Sequence, residues 1–506
     1  MRKALISVSD KTGVDEFARG LIENGFEIIS TGGTLKYLKD KGIACMDIAD
    51  YTGFSEILEG RVKTLHPKVH GGLLAKRDQK SHQKELKDNN IDYIDLICVN
   101  LYPFFETLKK AGVSDEEIIE NIDIGGPSML RSAAKNYKFV TVVTDIKDYE
   151  KVLKELRENK DTSLETRQRL AFKVFKKTSE YDAMIAKYFE KKIGIEDTDL
   201  SLHFKLKDEL RYGENPHQKA RHYISDEKVS YAMQDAIQLH GKKMSYNNIQ
   251  DASAALDILQ EFDQTVCVAL KHMNPCGVAL GKDVYEAYTR AYEADPVSIF
   301  GGIVAINGKI DKKTAEKMHE IFLEIILAED YEEEALEILK EKKNLRIYKI
   351  PKKIDKEPLL IKSVRGGILV QDYDDKLYDK FEVITEKKPN EAEIKDMEFG
   401  YKIVKHIKSN AVVVVKNGQT LGVGAGQMNR VGSCKIAFEQ AGAKAEGAVL
   451  ASDAFFPYSD SVELASKYKI SSVIQPGGSI RDQESIDACN RHNIAMVFTG
   501  MRHFKH

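Results

Sequence analysis

Short apolar runs alternate along this chain with longer stretches in which apolar residues recur three and four positions apart. Lys3 to Val8 reads as a buried strand, and Val14, Phe17, Ala18, Leu21 and Ile22 then keep helical spacing until Gly25 supplies a C-terminal cap. Phe26 to Ser30 is the next strand. A helix carrying Leu35 and Leu38 follows, is closed by Gly42, and leads to a strand from Ile43 to Ile48. Ile94 to Val99 and Phe139 to Val143 read as further strands, and between them Asp123-Ile124-Gly125-Gly126-Pro127 opens a helix with proline near its first turn. Such alternation predicts an α/β fold around a mainly parallel sheet.

Leu164 to Lys191 is long, amphipathic and free of turn residues, and Glu196-Asp197-Thr198-Asp199 after it predicts a linker. Two domains are therefore expected, residues 1–195 and 200–506. In the second, Thr265 to Leu270, Ile299 to Ile306, Ala411 to Val415, Gly447 to Ser452, Ser471 to Ile474 and Ile494 to Thr499 read as strands separated by helices, so this larger region is α/β as well. Val268-Ala269-Leu270-Lys271 and Val413-Val414-Val415-Lys416 both end apolar strands in lysine, as two copies of one strand-loop-helix unit would. Glu332 to Lys343 and Glu386 to Asp396 are charge-rich and read as solvated helix faces or an excursion between the halves.

With 42% hydrophobic and 31% charged residues in 506, the composition is that of a folded chain of two or three domains. Lysine plus arginine total 76 against 79 aspartate plus glutamate, so a net charge of −3 provides no bulk attraction to nucleic acid or to an anionic membrane. The longest aliphatic run, Ala411 to Val415, is far shorter than the roughly 18 residues of a spanning helix, and Ala4 to Val8 is too brief for a secretory signal. A cytoplasmic protein with neither nucleic-acid nor membrane partners is expected. The six cysteines form no C-x-x-C pair and read mostly as small buried residues in a reducing compartment.

Four polar clusters change the picture from fold to chemistry. Ser30-Thr31-Gly32-Gly33-Thr34 lies between a strand and a helix, where backbone N–H groups face an anion such as phosphate; by itself the pentapeptide is equally an ordinary glycine turn. Arg61 to Gly72 concentrates cations, a hydroxyl, imidazoles and glycines without helical or strand periodicity, so a functional loop is expected. There Arg61 can clamp a phosphate and Lys63 can stabilise an oxyanion, while His66 before Pro67 reads as structural. Arg211 to Gln218 is a second such cluster, equally readable as an interdomain loop. Lys271-His272-Met273-Asn274-Pro275-Cys276-Gly277 leaves a buried strand with a cation and a titratable base side by side, which favours proton-transfer chemistry over a structural histidine. Pro275-Cys276 matches the start of a zinc deaminase P-C-x-x-C signature, but position 279 is Ala; no catalytic metal is expected.

Together, RVKTLHPKVHGG, NLYPF, DIGGPSMLRSAAKN, RYGENPHQ, KHMNPCG, SDAFFP and the terminal TGMRHFKH closely resemble the bifunctional family of purine biosynthesis that joins aminoimidazole-carboxamide ribonucleotide (AICAR) transformylase to IMP cyclohydrolase. The resemblance runs in order from Ser7 to the C-terminus. It implies an N-terminal methylglyoxal-synthase-like domain and a C-terminal domain of two cytidine-deaminase-like subdomains without the catalytic zinc.

By that resemblance the C-terminal site transfers a formyl group from 10-formyltetrahydrofolate to AICAR. His272 would be the base, Lys271 would stabilise the oxyanion or help protonate the departing folate nitrogen, and Asn410 would orient the formyl group. Arg211, Tyr212 and Arg502 match nucleotide contacts, Phe300 and Phe455 match wall residues, Asp460 a folate contact, and Glu324 a carboxamide partner. The N-terminal site then closes formyl-AICAR to IMP. Lys63 and the Thr64 N–H resemble an oxyanion-stabilising pair, Tyr102, Asp123 and Lys135 a proton-transfer set, and Ser9, Lys11, Ser30, Thr31, Gly33, Thr34 and Arg61 a ribose-phosphate cradle. The resemblance also implies a homodimer. Two other classes stay open at this point: a phosphosugar lyase fused to an unrelated partner, and a nucleotide-sensing module that binds AICAR unchanged.

Overall fold

The structure, a computed structural model, describes residues 1–101, 104–108, 110, 112–195, 199–225, 227–354 and 358–506, and of residue 105 the backbone only. It divides into two compact units, Met1–His203 and Phe204–His506. The expected linker lies largely outside the described residues, at 196–198.

In the first unit the strands β1 (Arg2–Val8), β2 (Phe26–Ser30), β3 (Met46–Asp47), β4 (Leu96–Asn100) and β5 (Thr141–Val143) form one parallel sheet in the order β3-β2-β1-β4-β5. Helices cover both faces of the sheet, and Ala4, Leu5 and Ile6 in the middle of β1 have no exposed surface. The chain winds from β1 outward through β2 to β3 and then returns to β4 on the other side. That reversal opens a crevice above the carboxyl ends of the central strands. Two expectations are corrected here. Ile43 to Ile48 is not one strand, because the Asp47 carboxylate accepts the Ala49 N–H and starts the helix Ile48–Thr52. Arg61 to Gly72 is not all loop: Pro67–Leu74 is a helix whose first residue is the proline, capped by His66 Nδ1, which accepts from the Lys68 N–H at 3.1 Å. His66 is structural, as its position before proline implies.

The second unit begins with the hairpin β6 (Lys205–Leu210) and β7 (Ala220–Ile224). Its main sheet has twelve strands, drawn from β8 (Ile237–His240), β9 (Val266–Lys271), β10 (Asn274–Leu280), β11 (Ile303–Ile310), β12 (Ile325–Tyr331) and β13 (Arg346–Lys349), and, after a separate hairpin β14 (Leu360–Val364) and β15 (Gly367–Gln371), from β16 (Glu382–Val383), β17 (Val412–Lys416), β18 (Gln419–Gly424), β19 (Val449–Ser452), β20 (Ser472–Gln475) and β21 (Ala495–Phe498). Read outward from the central β10–β18 seam, one half runs β10-β9-β11-β12-β13-β8 and the other β18-β17-β19-β20-β21-β16. Strand directions repeat as well, with an antiparallel hairpin and third strand, two parallel strands, then an antiparallel edge.

The helices match in the same way, Tyr246–Leu259 with Glu391–Val404 and Val284–Ala294 with Arg430–Ala441. The lysine-ended strands β9 and β17 therefore occupy equivalent places in a duplicated unit. Close approach of helix to sheet explains one pair of equivalent glycines: a Cβ at Gly277 or Gly422 would stand 2.0 Å from the carbonyl oxygen of Ala291 or Ala437. Strand β11 starts at Ile303 rather than at Ile299, since the Gly302 N–H turns back to Ile299 O at 2.9 Å. The charge-rich segments form the helix Glu333–Lys340 and the start of Glu391–Val404. Among the described residues no helix is long and apolar enough to cross a membrane.

Because the first unit has its own sheet and core, a fragment ending at His203 is expected to fold alone. Near-ultraviolet circular dichroism with a single cooperative thermal transition would support this; a fragment lacking fixed tertiary signal would count against it.

Candidate active sites

The crevice of the first unit is a cavity of about 1000 Å³. Ser9, Lys11, Thr31, Gly33, Thr34, Arg61, Lys63, Thr64 and Asp123 all line it, so nine of the expected residues, far apart in sequence, meet around one space. Two helix N-termini point at it. In the helix Gly32–Asp40 the Thr34 and Leu35 N–H groups bond back to Thr31 O, which leaves the amides of Gly32 and Gly33 without a helical acceptor. The space beside Gly33 is open to 4 Å, and Lys63 Nζ lies 3.8 Å from where a Gly32 Cβ would be. With Lys11 at the rim, this corner is built for a dianion.

The second N-terminus is that of Gly125–Lys135. A Cβ at Gly125 would stand 2.5 Å from Thr64 Oγ1 and one at Gly126 2.3 Å from Asp123 Oδ2, so both glycines are required for close contact. Asp123 Oδ1 accepts the Gly126 N–H at 2.8 Å, and Tyr181 Oη accepts the Asp123 N–H at 2.7 Å. Burial pushes the Asp123 carboxyl above its ordinary range; the Gly126 N–H and the charge of Lys63 partly oppose that. A carboxylate poised in this way beside an ammonium can exchange a proton with a bound substrate.

Three expected residues stand apart. Ser30 does not line the cavity: it is fully buried and its hydroxyl donates to Ile6 O at 2.8 Å. Lys135 does not line it either, because it ends the helix whose first residues do, roughly 15 Å away at 1.5 Å per residue. Tyr102 lies outside the described residues. Arg61 is exposed and paired with Glu120, its Nε 3.3 Å from Oε1. His70, also part of the basic cluster, is bonded at Nδ1 to Ser132 Oγ and held below its ordinary pKa by burial. Sequence reasoning missed Asn100, whose side-chain oxygen accepts the Ser9 hydroxyl at 2.8 Å and fixes that loop from the end of β4.

In the second unit His272 and Met273 form the two-residue turn between β9 and β10, both with positive φ, 52° and 61°. Lys271 Nζ donates to Phe300 O at 2.9 Å, which ties the lysine to the loop that carries Phe300; the exposed Phe300 and Phe322 rings are 5.7 Å apart. Asn274 joins the neighbouring loop, accepting the Lys408 N–H at 3.4 Å. Two residues on, Asn410 is gripped on both sides: its amide nitrogen donates to Gln427 O at 2.8 Å and its oxygen accepts from Arg430 Nη2 at 3.0 Å. Arg430 in turn forms a buried pair with Asp453, which also accepts the Ser409 hydroxyl at 2.6 Å. The C-terminal tail closes over this loop through Ser409 N–H to Lys505 O at 2.9 Å.

The Arg211 cluster is tied to the same region by Asn247, which donates to Glu214 O at 3.3 Å from the first turn of Tyr246–Leu259. Arg211 lies over the Tyr212 ring and Arg502 over that of Phe504, both exposed. Glu324 is paired with Arg346 at 3.0 Å, Phe455 is half-buried, and Asp460 begins the helix Asp460–Lys467 on the surface. No direct contact among Arg211, His272, Asn410 and Arg502 is seen; they share a connected set of loops. Arg430 and Asp453 were missed because nothing local marks an ion pair formed across 23 residues. Burial pushes the Cys276 thiol up to about 12, so it stays protonated. Among the described residues no group of three or more His, Cys, Asp or Glu is arranged to hold a metal.

Residues 133–440 match a family model described as AICARFT/IMPCHase bienzyme, and residues 13–128 match one described as MGS-like domain. Over 509 residues covering 100% of both chains, the protein is 56% identical to the "Bifunctional purine biosynthesis protein PurH" of Bacillus thuringiensis (strain Al Hakam). It is likewise 56% identical over 509 residues to the protein of that name from Bacillus cereus (strain 03BB102), again with 100% of each chain covered. A solved structure described as "Crystal structure of ForH" is 38% identical, covers 37% of this chain and 97% of that one, and overlays with a TM-score of 0.34.

Removing one partner of the buried Arg430–Asp453 pair should strand the other. Arg430→Ala is expected to cost the second unit about 3–5 kcal/mol, read as a lowered urea midpoint, whereas Arg430→Met with Asp453→Leu should recover much of it. An unchanged midpoint for the single variant would show that the pair is dispensable.

Proposed function

We propose an assignment of two reactions to two sites, and its premise is that the chain belongs to the AICARFT/IMPCHase bienzyme family. It is a bifunctional enzyme of purine biosynthesis, an AICAR formyltransferase and IMP cyclohydrolase that uses a formyl-folate co-substrate. Cyclisation belongs to the first unit and formyl transfer to the second, with 10-formyltetrahydrofolate as donor in the cytoplasm.

The observation that carries the first assignment is the cavity where the helix amides of Gly32 and Gly33, Lys11 and Lys63 face Asp123. The ribose phosphate of formyl-AICAR sits at the Gly32–Asp40 N-terminus, held by the Thr31 and Thr34 side of the cleft. The carboxamide nitrogen then attacks the formyl carbon of the same molecule, so holding both groups in one conformation removes much of the barrier. Lys63 and the Thr64 N–H stabilise the oxyanion, Asp123 relays protons, and water leaves. Tyr102 and Lys135 belong to this set by resemblance; Lys135 stands at the far end of the helix Gly125–Lys135, whose first residues line the cavity.

For formyl transfer, the AICAR amine is conjugated with its ring and is a poor nucleophile until a proton is removed. His272 takes that proton, Asn410 orients the formyl group, and Lys271 stabilises the tetrahedral oxyanion or helps protonate the folate nitrogen as its bond to the formyl carbon breaks. Arg211, Tyr212 and Arg502 hold the nucleotide, Phe300 and Phe455 wall the site, Glu324 meets the carboxamide, and Asp460 meets the folate. Phe300 is 57% exposed and Phe322 45%, an apolar surface that a second copy of the chain would cover; the transferase is therefore assigned a homodimeric site.

His272→Ala should lower formyl transfer by ~10²-fold or more with ring closure intact, and Lys63→Ala the reverse, each followed by separate assays on AICAR and on preformed formyl-AICAR. Full transfer by the histidine variant at neutral pH would remove His272 from its role. The dimer makes a further expectation: transfer activity per chain should fall on dilution while ring closure holds, and undiminished transfer by demonstrably monomeric protein would overturn it.

A further inference from the structure

The duplication in the second unit sets two equivalent turns side by side for comparison. Lys271 pairs with Asn274 around His272–Met273, and Lys416 pairs with Gln419 around Asn417–Gly418. All four turn residues have positive φ, 52° and 61° in the first copy, 54° and 65° in the second. A two-residue hairpin turn of this kind favours Asn-Gly, the pair in the second copy, because those residues tolerate the left-handed region. Methionine tolerates it poorly, whereas histidine, like asparagine, is found there more often than most side chains. The first copy thus holds an imidazole at the tip of a hairpin whose second residue, Met273, does not favour the backbone shape, so a hold from outside the turn would stabilise it.

The holder is visible in both copies. Tyr246–Leu259 and Glu391–Val404 each begin with a capping box, on Ser245 and Asn390, and each carries an aspartate at the same offset from its cap, Asp251 and Asp396. Asp396 accepts the Asn417 N–H at Oδ2 and the Gly418 N–H at Oδ1, both at 2.7 Å. Asp251 accepts the Met273 N–H at 2.8 Å, and the Asn274 side chain donates to His272 O at 3.1 Å from the other side. The clamp is common to both copies; the catalytic side chain is present in one.

We infer that Asp251 is a positioning residue for formyl transfer, one that clamps the backbone of the His272–Met273 turn and thereby fixes where the imidazole stands. It is not a catalytic residue, since its bond is to the turn and not to substrate. The inference rests on the reading of His272 as the base, and it adds that the left-handed turn is maintained from the helix Tyr246–Leu259. Because the Asp251 carboxylate holds the turn by its backbone amides, at Met273 and at His272 itself, losing it displaces the imidazole, and a displacement near 1 Å is enough to cost on the order of 10²-fold in rate.

The test is steady-state formyl transfer by the full chain, with AICAR and 10-formyltetrahydrofolate, for Asp251→Ala, Asp251→Asn, Asp396→Ala, His272→Ala and the double variant of Asp251→Ala with His272→Ala. Asp251→Ala is expected to lower kcat ~10- to 100-fold with the KM for AICAR changed less than about threefold. Asp251→Asn, whose amide oxygen can still accept the Met273 N–H, should recover to within about fivefold of the parent. On the His272→Ala background the Asp251 change should cost nothing more, the signature of a residue acting through another. Asp396→Ala should lower the melting temperature yet keep kcat within about threefold. Should Asp251→Ala not fold, Asp251→Ser, whose hydroxyl is too short to reach, is read in its place.

A parent-like kcat for Asp251→Ala overturns the inference. So does an asparagine variant as impaired as the alanine one, an undiminished Asp251 effect without His272, or an equal loss of kcat in Asp396→Ala. If His272→Ala transfers at the parent rate, the reading of the base has failed; if it is inactive while Asp251→Ala is normal, only the clamp has.

Discussion

A polar side chain in the middle of a strand covered on both faces must find a partner inside the fold, so these strands are mostly apolar and much of the chemistry in this protein stands at their ends. Ala4 to Ile6, Val266 to Leu270 and Val412 to Val415 have no exposed surface at all. What the sheets exclude gathers where strands end. Ser9 and Asn100 stand just beyond or at the ends of β1 and β4, Thr31 just beyond β2, and Lys271 and His272 where β9 turns into β10. The apolar strands act as rigid mounts, and the turns between them carry the chemistry.

In the first unit the mounts converge by the winding of the chain. Reversal of strand order after β3 brings the loops after β1, β2 and β4 to one crevice, and the two helices that start there, Gly32–Asp40 and Gly125–Lys135, add their free amides. The electrostatics follow from those positions: cations and amides at one corner of the crevice, and beside Lys63 a carboxyl held protonated to higher pH than usual. Glycine is needed at 125 and 126 because Thr64 and Asp123 approach to within less than a Cβ contact.

In the second unit duplication provides the frame and divergence the function. Both copies retain the hairpin, the capped helix and its aspartate, yet the tip is Asn-Gly in one and His-Met in the other. Asn410 is handled differently: its amide is fixed by hydrogen bonds to Gln427 O and from Arg430, and Arg430 is itself held by Asp453. Such a pair adds little stability over an apolar substitute, but it fixes orientation once both charges are present.

How much of this was readable beforehand divides along one line. Strand and helix alternation, the capping glycines, Pro127 near a helix start, the structural His66 and the two lysine-ended strands all follow from neighbours within a turn or two, and local sterics and burial decide them. Errors arose where a polar cap outweighed apolar pattern, at Asp47, and where a helix too short to show its period began at Pro67. Motifs quoted whole marked most of the cavity residues but could not separate Lys63, which faces it, from Lys135, ten residues down a helix that only begins there. Sequence alone determined which segments are buried and which loops are chemically loaded, because those depend on composition over a few residues. Only the tertiary structure decided that Asp251 meets Met273, that Arg430 meets Asp453 and that Arg61 meets Glu120, because strand order and register are set by packing summed over whole sheets, and a polar pair is made only where that packing brings its two halves within hydrogen-bond distance.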